Sequence, residues 1–132
     1  MDTLRKLRIG ASSTALIILT LMTTLGCGAK SLQGSWVRID DEAPQGQTIK
    51  ILTEERFAFG LHAKNEIVAG GGRYVLDDET YTETIQYHWM PNLVGKTVVF
   101  DCAIDGDIWH HTGRIKTGGG VLVIDEVWER IE

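Results

Sequence analysis

From residue 34 onward, the chain never runs far without a turn signal. Pro44 and Gly46 fall within Asp40–Gln47, and further bends are signalled at Ala63–Asn65, Asp77–Glu79, His88–Leu93, Asp105-Gly106 and Thr117–Gly120. Between them lie short stretches rich in β-branched and aromatic residues, with no sustained helical period. That pattern predicts strands and little helix. The expected strands are Ser35–Ile39, Thr48–Thr53, Arg56–Leu61, Ile67–Leu76, Thr80–Tyr87, Lys96–Ile104, Asp107–Lys116 and Val121–Ile131. Short strands joined by tight bends suit a sheet closed on itself, because closure leaves no exposed edge. The expected fold class is all-β: a small antiparallel up-and-down β-barrel of about eight strands. A two-sheet sandwich is the alternative that strand count leaves open. A barrel of that size is filled by side chains or holds one small ligand.

Period two assigns the faces. Asp-Gly favours a two-residue hairpin turn. With Asp105-Gly106 as that turn, Ile104 faces Asp107, Cys102 faces Trp109 and Phe100 faces His111, while Asp101 and His110 oppose each other on the other face. Val98, Phe100, Cys102, Ile104, Trp109 and His111 then share one side. The turn at Asp77-Asp78-Glu79 sets Gly72, Tyr74 and Leu76 on the same side as Tyr81, Glu83, Ile85 and Tyr87. Phe57, Phe59 and Leu61 alternate in the same manner. The glycine runs Gly70–Gly72 and Gly118–Gly120 precede no helix and no Lys-Ser or Lys-Thr, so they do not read as phosphate loops. In a strand they mark a bend or bulge.

The start of the chain has a different character. Arg5, Lys6 and Arg8 precede an uncharged stretch, Ile9 to Gly26, whose apolar centre is Ala15–Met22. That centre is short for a spanning helix, which takes about 20 apolar residues, and the arrangement is that of a secretory signal. Thr24-Leu25-Gly26-Cys27 resembles the bacterial lipoprotein signal, in which cleavage precedes a diacylated cysteine, although that signal prefers leucine where Thr24 stands. The resemblance implies lipidation of Cys27; the alternative is ordinary secretion with a different cut. The expected organisation is a signal peptide at 1–26, a lipidated cysteine and short tether at 27–33, and the β domain at 34–132. Gly28 follows the cysteine where an aspartate often marks inner-membrane retention, so the expected location is the outer membrane facing the periplasm, the alternative being a secreted or free periplasmic protein.

Cys102 is the only other cysteine, which leaves no obvious disulfide framework in an exported chain. The whole chain has 13 basic and 18 acidic residues. Removal of residues 1–27 takes away three basic groups and one acidic group, leaving a net charge of −7. An acidic domain with dispersed Lys and Arg repels phosphate backbones, so nucleic acid is not an expected partner.

Leu32-Gln33-Gly34-Ser35-Trp36 resembles the Gly-x-Trp opening of lipocalins, and Val127-Trp128-Glu129-Arg130 closes the last strand. With Ala69–Tyr74, Thr80–Ile85 and Leu93–Thr97, these segments resemble a group of small lipocalin-like (calycin-type) bacterial proteins, many exported or lipid-anchored. The similarity spans residues 32–131. It implies a Trp packed under the barrel against an Arg of the last strand, positions matched by Trp36 and Arg130, with a structural role. The chain is shorter than a typical lipocalin. Gating loops and a C-terminal helix are therefore not expected, which argues against a large lipid cavity.

Glu83 stands out on an otherwise aromatic face, where a buried carboxylate needs a partner. It is a candidate polar anchor for a small, partly apolar ligand held among Phe57, Phe59, Tyr74, Tyr81, Tyr87, Phe100, Cys102, Trp109 and His111. The alternative is that Glu83 is satisfied within the protein by tyrosine hydroxyls or an Arg, or that this face is wet. Cys102 and His111 supply two metal ligands where four are usual, so no metal, cofactor or catalytic residue is expected. The expected function is ligand binding without catalysis at the cell envelope. The alternative is an envelope structural or interaction module with a filled core and an exposed patch at His88-Trp89-Met90-Pro91.

Overall fold

The computed structural model describes residues 30–40 and 46–132. The basic start, its apolar centre and Cys27 lie outside the described residues. Eight antiparallel strands form a closed up-and-down barrel: β1 (Gly34–Arg38), β2 (Ile49–Leu52), β3 (Arg56–Ala63), β4 (Glu66–Asp77), β5 (Thr80–His88), β6 (Thr97–Asp105), β7 (Ile108–Thr117) and β8 (Gly120–Arg130). Each strand pairs with the next, and β8 returns to β1 through Trp36↔Arg130, Val37↔Glu129 and Arg38↔Trp128. The barrel, not the sandwich, is the architecture. A 3₁₀ turn, Pro91–Leu93, interrupts the link from β5 to β6.

This topology sorts the connections onto two ends. The β2–β3, β4–β5 and β6–β7 turns share one end with residues 30–33 and with the C-terminus. The other connections form the opposite end. Trp36 lies fully buried near the first end, its indole N–H donating to the Leu32 carbonyl at 2.8 Å. The Arg130 guanidinium stacks 4.1 Å from the Trp36 ring and donates to the carbonyls of Ser31 and Gln33. Leu32 is buried beneath them. One end is therefore sealed by the Trp–Arg pair and by the chain segment just ahead of β1.

The β6–β7 turn differs by one step from the reading based on Asp105-Gly106. Its central residues are Gly106 and Asp107, so Asp105 faces Ile108, Ile104 faces Trp109, Cys102 faces His111 and Phe100 faces Gly113. Asp101 faces Thr112, and Ala103 faces His110. Gly106 has φ +58°, whereas Asp107 is not in the positive region. Such hairpins place glycine at the first central position. The slip moves each partner by two residues and so preserves the faces: Val98, Phe100, Cys102, Trp109 and His111 are all buried.

A bulge in the β4–β5 pair does change a face. Gly72 pairs with Ile85 and Gly71 with Tyr87, leaving Gln86 as an extra residue. Strict alternation places Tyr87 inside with Tyr81, Glu83 and Ile85; the bulge instead turns it outward, 53% exposed, and brings His88 inward against Phe59. A Cβ at Gly72 would lie 2.0 Å from the Thr84 carbonyl oxygen and 2.9 Å from the Gln86 nitrogen. Only glycine admits that approach. Gly72→Ala is expected to destabilise the barrel by about 1–3 kcal/mol through a forced backbone shift. Urea unfolding checks this, and a neutral result would mean that the two strands do not meet this closely.

Candidate functional site

Of the residues singled out from the sequence, nine face the interior and divide into two layers. Phe57, Phe59, Glu83, Phe100 and His111 line a cavity of about 210 Å³. Tyr74, Tyr81, Cys102 and Trp109 belong to the packed core, outside the cavity lining. Tyr87 is excluded by the bulge. The lining also includes Leu61, Val68, Met90, Ile115 and Ile124, with half-exposed Trp89 and Leu122 among the more accessible residues. These positions place the cavity toward the end opposite the sealed one. His88, Trp89 and Met90 are thus part of the cavity wall, and Trp89 is also 48% exposed at the surface.

Four lining residues, Arg38, Lys50, Glu126 and Trp128, are not among the ligand candidates named from the sequence. Lys50 is the least expected. In Ile49-Lys50-Ile51-Leu52, polarity alone would put the isoleucines inside, yet Lys50 is 4% exposed and Ile51 is 53% exposed. Register decides it: Lys50 pairs with Trp36 on one side and Phe59 on the other, both inward-facing. The signal for Glu126 was present in the sequence, since it shares period two with Trp128 and Arg130.

Lys50 forms an ion pair with Glu83, Nζ to Oε1 at 2.5 Å. The same carboxylate oxygen accepts the Tyr81 hydroxyl at 2.9 Å, and Glu83 is 7% exposed. The Lys50 ammonium also sits 5.0 Å from the rings of Phe57, Tyr81 and Trp109 and 5.7 Å from that of Trp128. Cation–π attraction of this kind strengthens when the cation is desolvated. Glu83 is therefore committed to partners within the protein. Burial, with the nearby Glu83 charge adding to it, pushes the Tyr81 hydroxyl well above its usual range, so it remains a donor.

His111 sits beside this pair. Its ring meets Phe100 edge-on at 4.1 Å and stacks on Trp109 at 4.9 Å. His111 is 2% exposed, and among the described residues neither ring nitrogen has a hydrogen-bond partner. Burial holds its pKa well below the usual 6.5, and the Lys50 and Arg38 charges act in the same direction. Its cross-strand neighbour is Glu126, whose Oε2 lies 4.0 Å from His111 Nδ1, beyond hydrogen-bond range. Glu126 accepts from the Trp128 indole at 3.2 Å and pairs with Arg38 at 3.3 Å. Burial nonetheless raises its pKa above the usual 4.5.

The Cys102 thiol is buried, which pushes its pKa up and disfavours the thiolate that nucleophilic chemistry needs. Among the described residues, no group of three or more His, Cys, Asp and Glu side chains is placed to hold a metal ion.

The depressed His111 pKa has a signed consequence. Below pH 6.5 the unfolded chain takes up a proton that the folded chain resists, so stability falls as pH falls, by at most about 1.4 kcal/mol per pH unit. Above that range the neutral ring incurs no such loss. Glu126 acts in the opposite sense, because the fold favours its protonated form. Replacing His111 by Phe is expected to remove part of the stability loss between pH 7 and 5, measured by urea unfolding. An unchanged slope would show that His111 titrates as it does in water.

In comparisons with known proteins, the chain matches no protein-family model and no curated protein sequence.

Proposed function

We propose that this protein is a cell-envelope lipoprotein whose lipocalin-like barrel binds a small, partly apolar ligand without catalysing its conversion. The observation that carries this reading is the cavity of about 210 Å³, apolar over most of its wall and ionic on one side. A barrel serving only as a scaffold gains by filling that space, because voids forfeit packing contacts. The cavity is larger than the roughly 150 Å³ that accommodates a benzene molecule and holds about seven waters at about 30 Å³ each. It is below the roughly 300–1,000 Å³ of drug-sized sites, so the ligand is small.

The anchoring part of the proposal rests on the sequence. Cleavage before Cys27 and its acylation would hold the barrel at a membrane, by its sealed end, with the cavity directed away from it. The outer membrane facing the periplasm is the proposed site. Labelling of cells with a radioactive fatty acid tests this. Label should appear on the wild type and vanish in Cys27→Ala, and an unlabelled wild type would return the chain to ordinary secretion.

Binding itself is tested by native mass spectrometry of the protein purified from its own host's envelope extract. A reproducible extra mass, lost on denaturation, is the expected result. A bare protein mass, unchanged after exposure to a broad metabolite and lipid panel, would favour an interaction module acting through its outer surface.

A further inference from the structure

Among the described residues, the cavity wall is electrically balanced. Lys50 has Glu83 at 2.5 Å, while Arg38 has Asp40 at 2.9 Å and Glu126 at 3.3 Å. A ligand carrying a net charge would leave water for a space in which every cavity-lining Lys, Arg and Glu already has an opposite charge beside it. Such a transfer is strongly unfavourable. Among the described residues, the remaining titratable groups on the wall are His88 and His111. His88 Nδ1 already accepts the Met90 backbone N–H at 3.0 Å, which occupies its acceptor.

What the wall lacks is a partner for His111. Both of its ring nitrogens are unpaired although the side chain is almost wholly buried, and buried polar groups without partners are rare. The 4.0 Å between His111 Nδ1 and Glu126 Oε2 is too long for a direct hydrogen bond. One oxygen atom set between them reaches both once the side chains part to admit it, since neither His111 nitrogen has appreciable accessible surface beforehand. A hydroxyl has the required chemistry, since it accepts from an imidazole N–H and donates to a carboxylate. A carbonyl oxygen cannot donate, and an ammonium cannot accept.

Resting on the binding function proposed above, we infer that the cavity selects an uncharged molecule of about one six-membered ring in size carrying a hydroxyl, and that this hydroxyl docks between His111 and Glu126. The apolar body lies against Phe59, Leu61, Ile115 and Ile124. Glu83, the carboxylate most conspicuous in the sequence, is not the anchor, because its charge is met by Lys50 and Tyr81.

A matched series of one-ring probes tests this with the full chain, purified as the cell processes it: phenol, toluene, benzoate and benzylammonium, followed by calorimetry and by amide chemical shifts at pH 7.5. Phenol is neutral there, like a tyrosine hydroxyl with its pKa of about 10. Phenol is expected to bind about tenfold more tightly than toluene or better, and the two ions not measurably. His111→Phe should reduce phenol to the level of toluene and leave toluene within about twofold. Equal binding of phenol and toluene would overturn the hydroxyl anchor while leaving a ligand-binding cavity in place. Tighter binding of either ion would overturn the charge balance. Failure of every probe, with unchanged shifts, would overturn both the anchor and the binding function. The wild-type comparison decides between these even if His111→Phe does not fold.

Discussion

Replacing Glu83 by alanine is expected to cost about 3–5 kcal/mol of folding free energy, the usual consequence of stripping one partner from a buried ion pair. Small domains have about 5–15 kcal/mol in total, so the variant should be close to unfolded at ambient temperature. The cost arises because Lys50 is 4% exposed and walled by four aromatic rings, with Glu83 its counter-charge at 2.5 Å. Those rings soften the loss without removing it, because their attraction is about 0.5–2 kcal/mol. The double replacement Lys50→Met with Glu83→Leu should recover most of the loss, since well-packed apolar residues often match or exceed a buried pair. Urea unfolding of the wild type, Lys50→Met, Glu83→Leu and the double variant forms a complete cycle. A single-variant cost below about 1 kcal/mol would place the pair in water, as exposed pairs behave.

Trp36→Ala carries the other large expected effect, about 3–5 kcal/mol, as for other buried aromatic side chains cut to alanine. Several contacts fail together. The indole meets Trp109 edge-on at 5.5 Å, underlies the Arg130 guanidinium at 4.1 Å, and donates to the Leu32 carbonyl at 2.8 Å. Its removal opens the sealed end and frees the segment that crosses it. Arg130→Ala should cost less, about 0.5–2 kcal/mol, because the ring stays buried. Thermal unfolding of both variants checks the order. If Arg130→Ala proved the more damaging, the seal would depend on the guanidinium's hydrogen bonds to Ser31 and Gln33 instead of on the indole.

Strand order and most faces were readable from residues alone because β structure has a period of two, which apolar residues report wherever one side is buried. Cys102, Trp109 and His111 are inside for that reason, and a two-residue slip in the β6–β7 register left them there. Alternation breaks at Tyr87, where one extra residue at Gln86 inverts the count. The run Gly70–Gly72 signals a bulge, but its position and direction depend on how closely Thr84 approaches Gly72, a cross-strand distance. Local polarity also misleads at Lys50, since the pattern Ile49-Lys50-Ile51 points the wrong way. Local rules break most often at functional or strained positions, and both failures here border the cavity: His88, brought inward by the bulge, and Lys50 are on its wall.

The chain's own order of residues thus determined an all-β domain of eight strands with an interior rich in aromatic residues, which follow from local propensity and alternation acting over a few residues. The Trp36–Arg130 seal was what the lipocalin-like resemblance implied, and strand count left closure open against a sandwich. Tertiary structure alone decided that the interior is not solid, that Lys50 and not Ile51 turns inward, that Glu83 is committed to Lys50, and that His111 and Glu126 stand 4.0 Å apart with no direct hydrogen bond between them. The physical reason is separation along the chain: Lys50 and Glu83 are 33 residues apart. Only barrel closure brings such charges into one desolvated space, where pairing becomes obligatory.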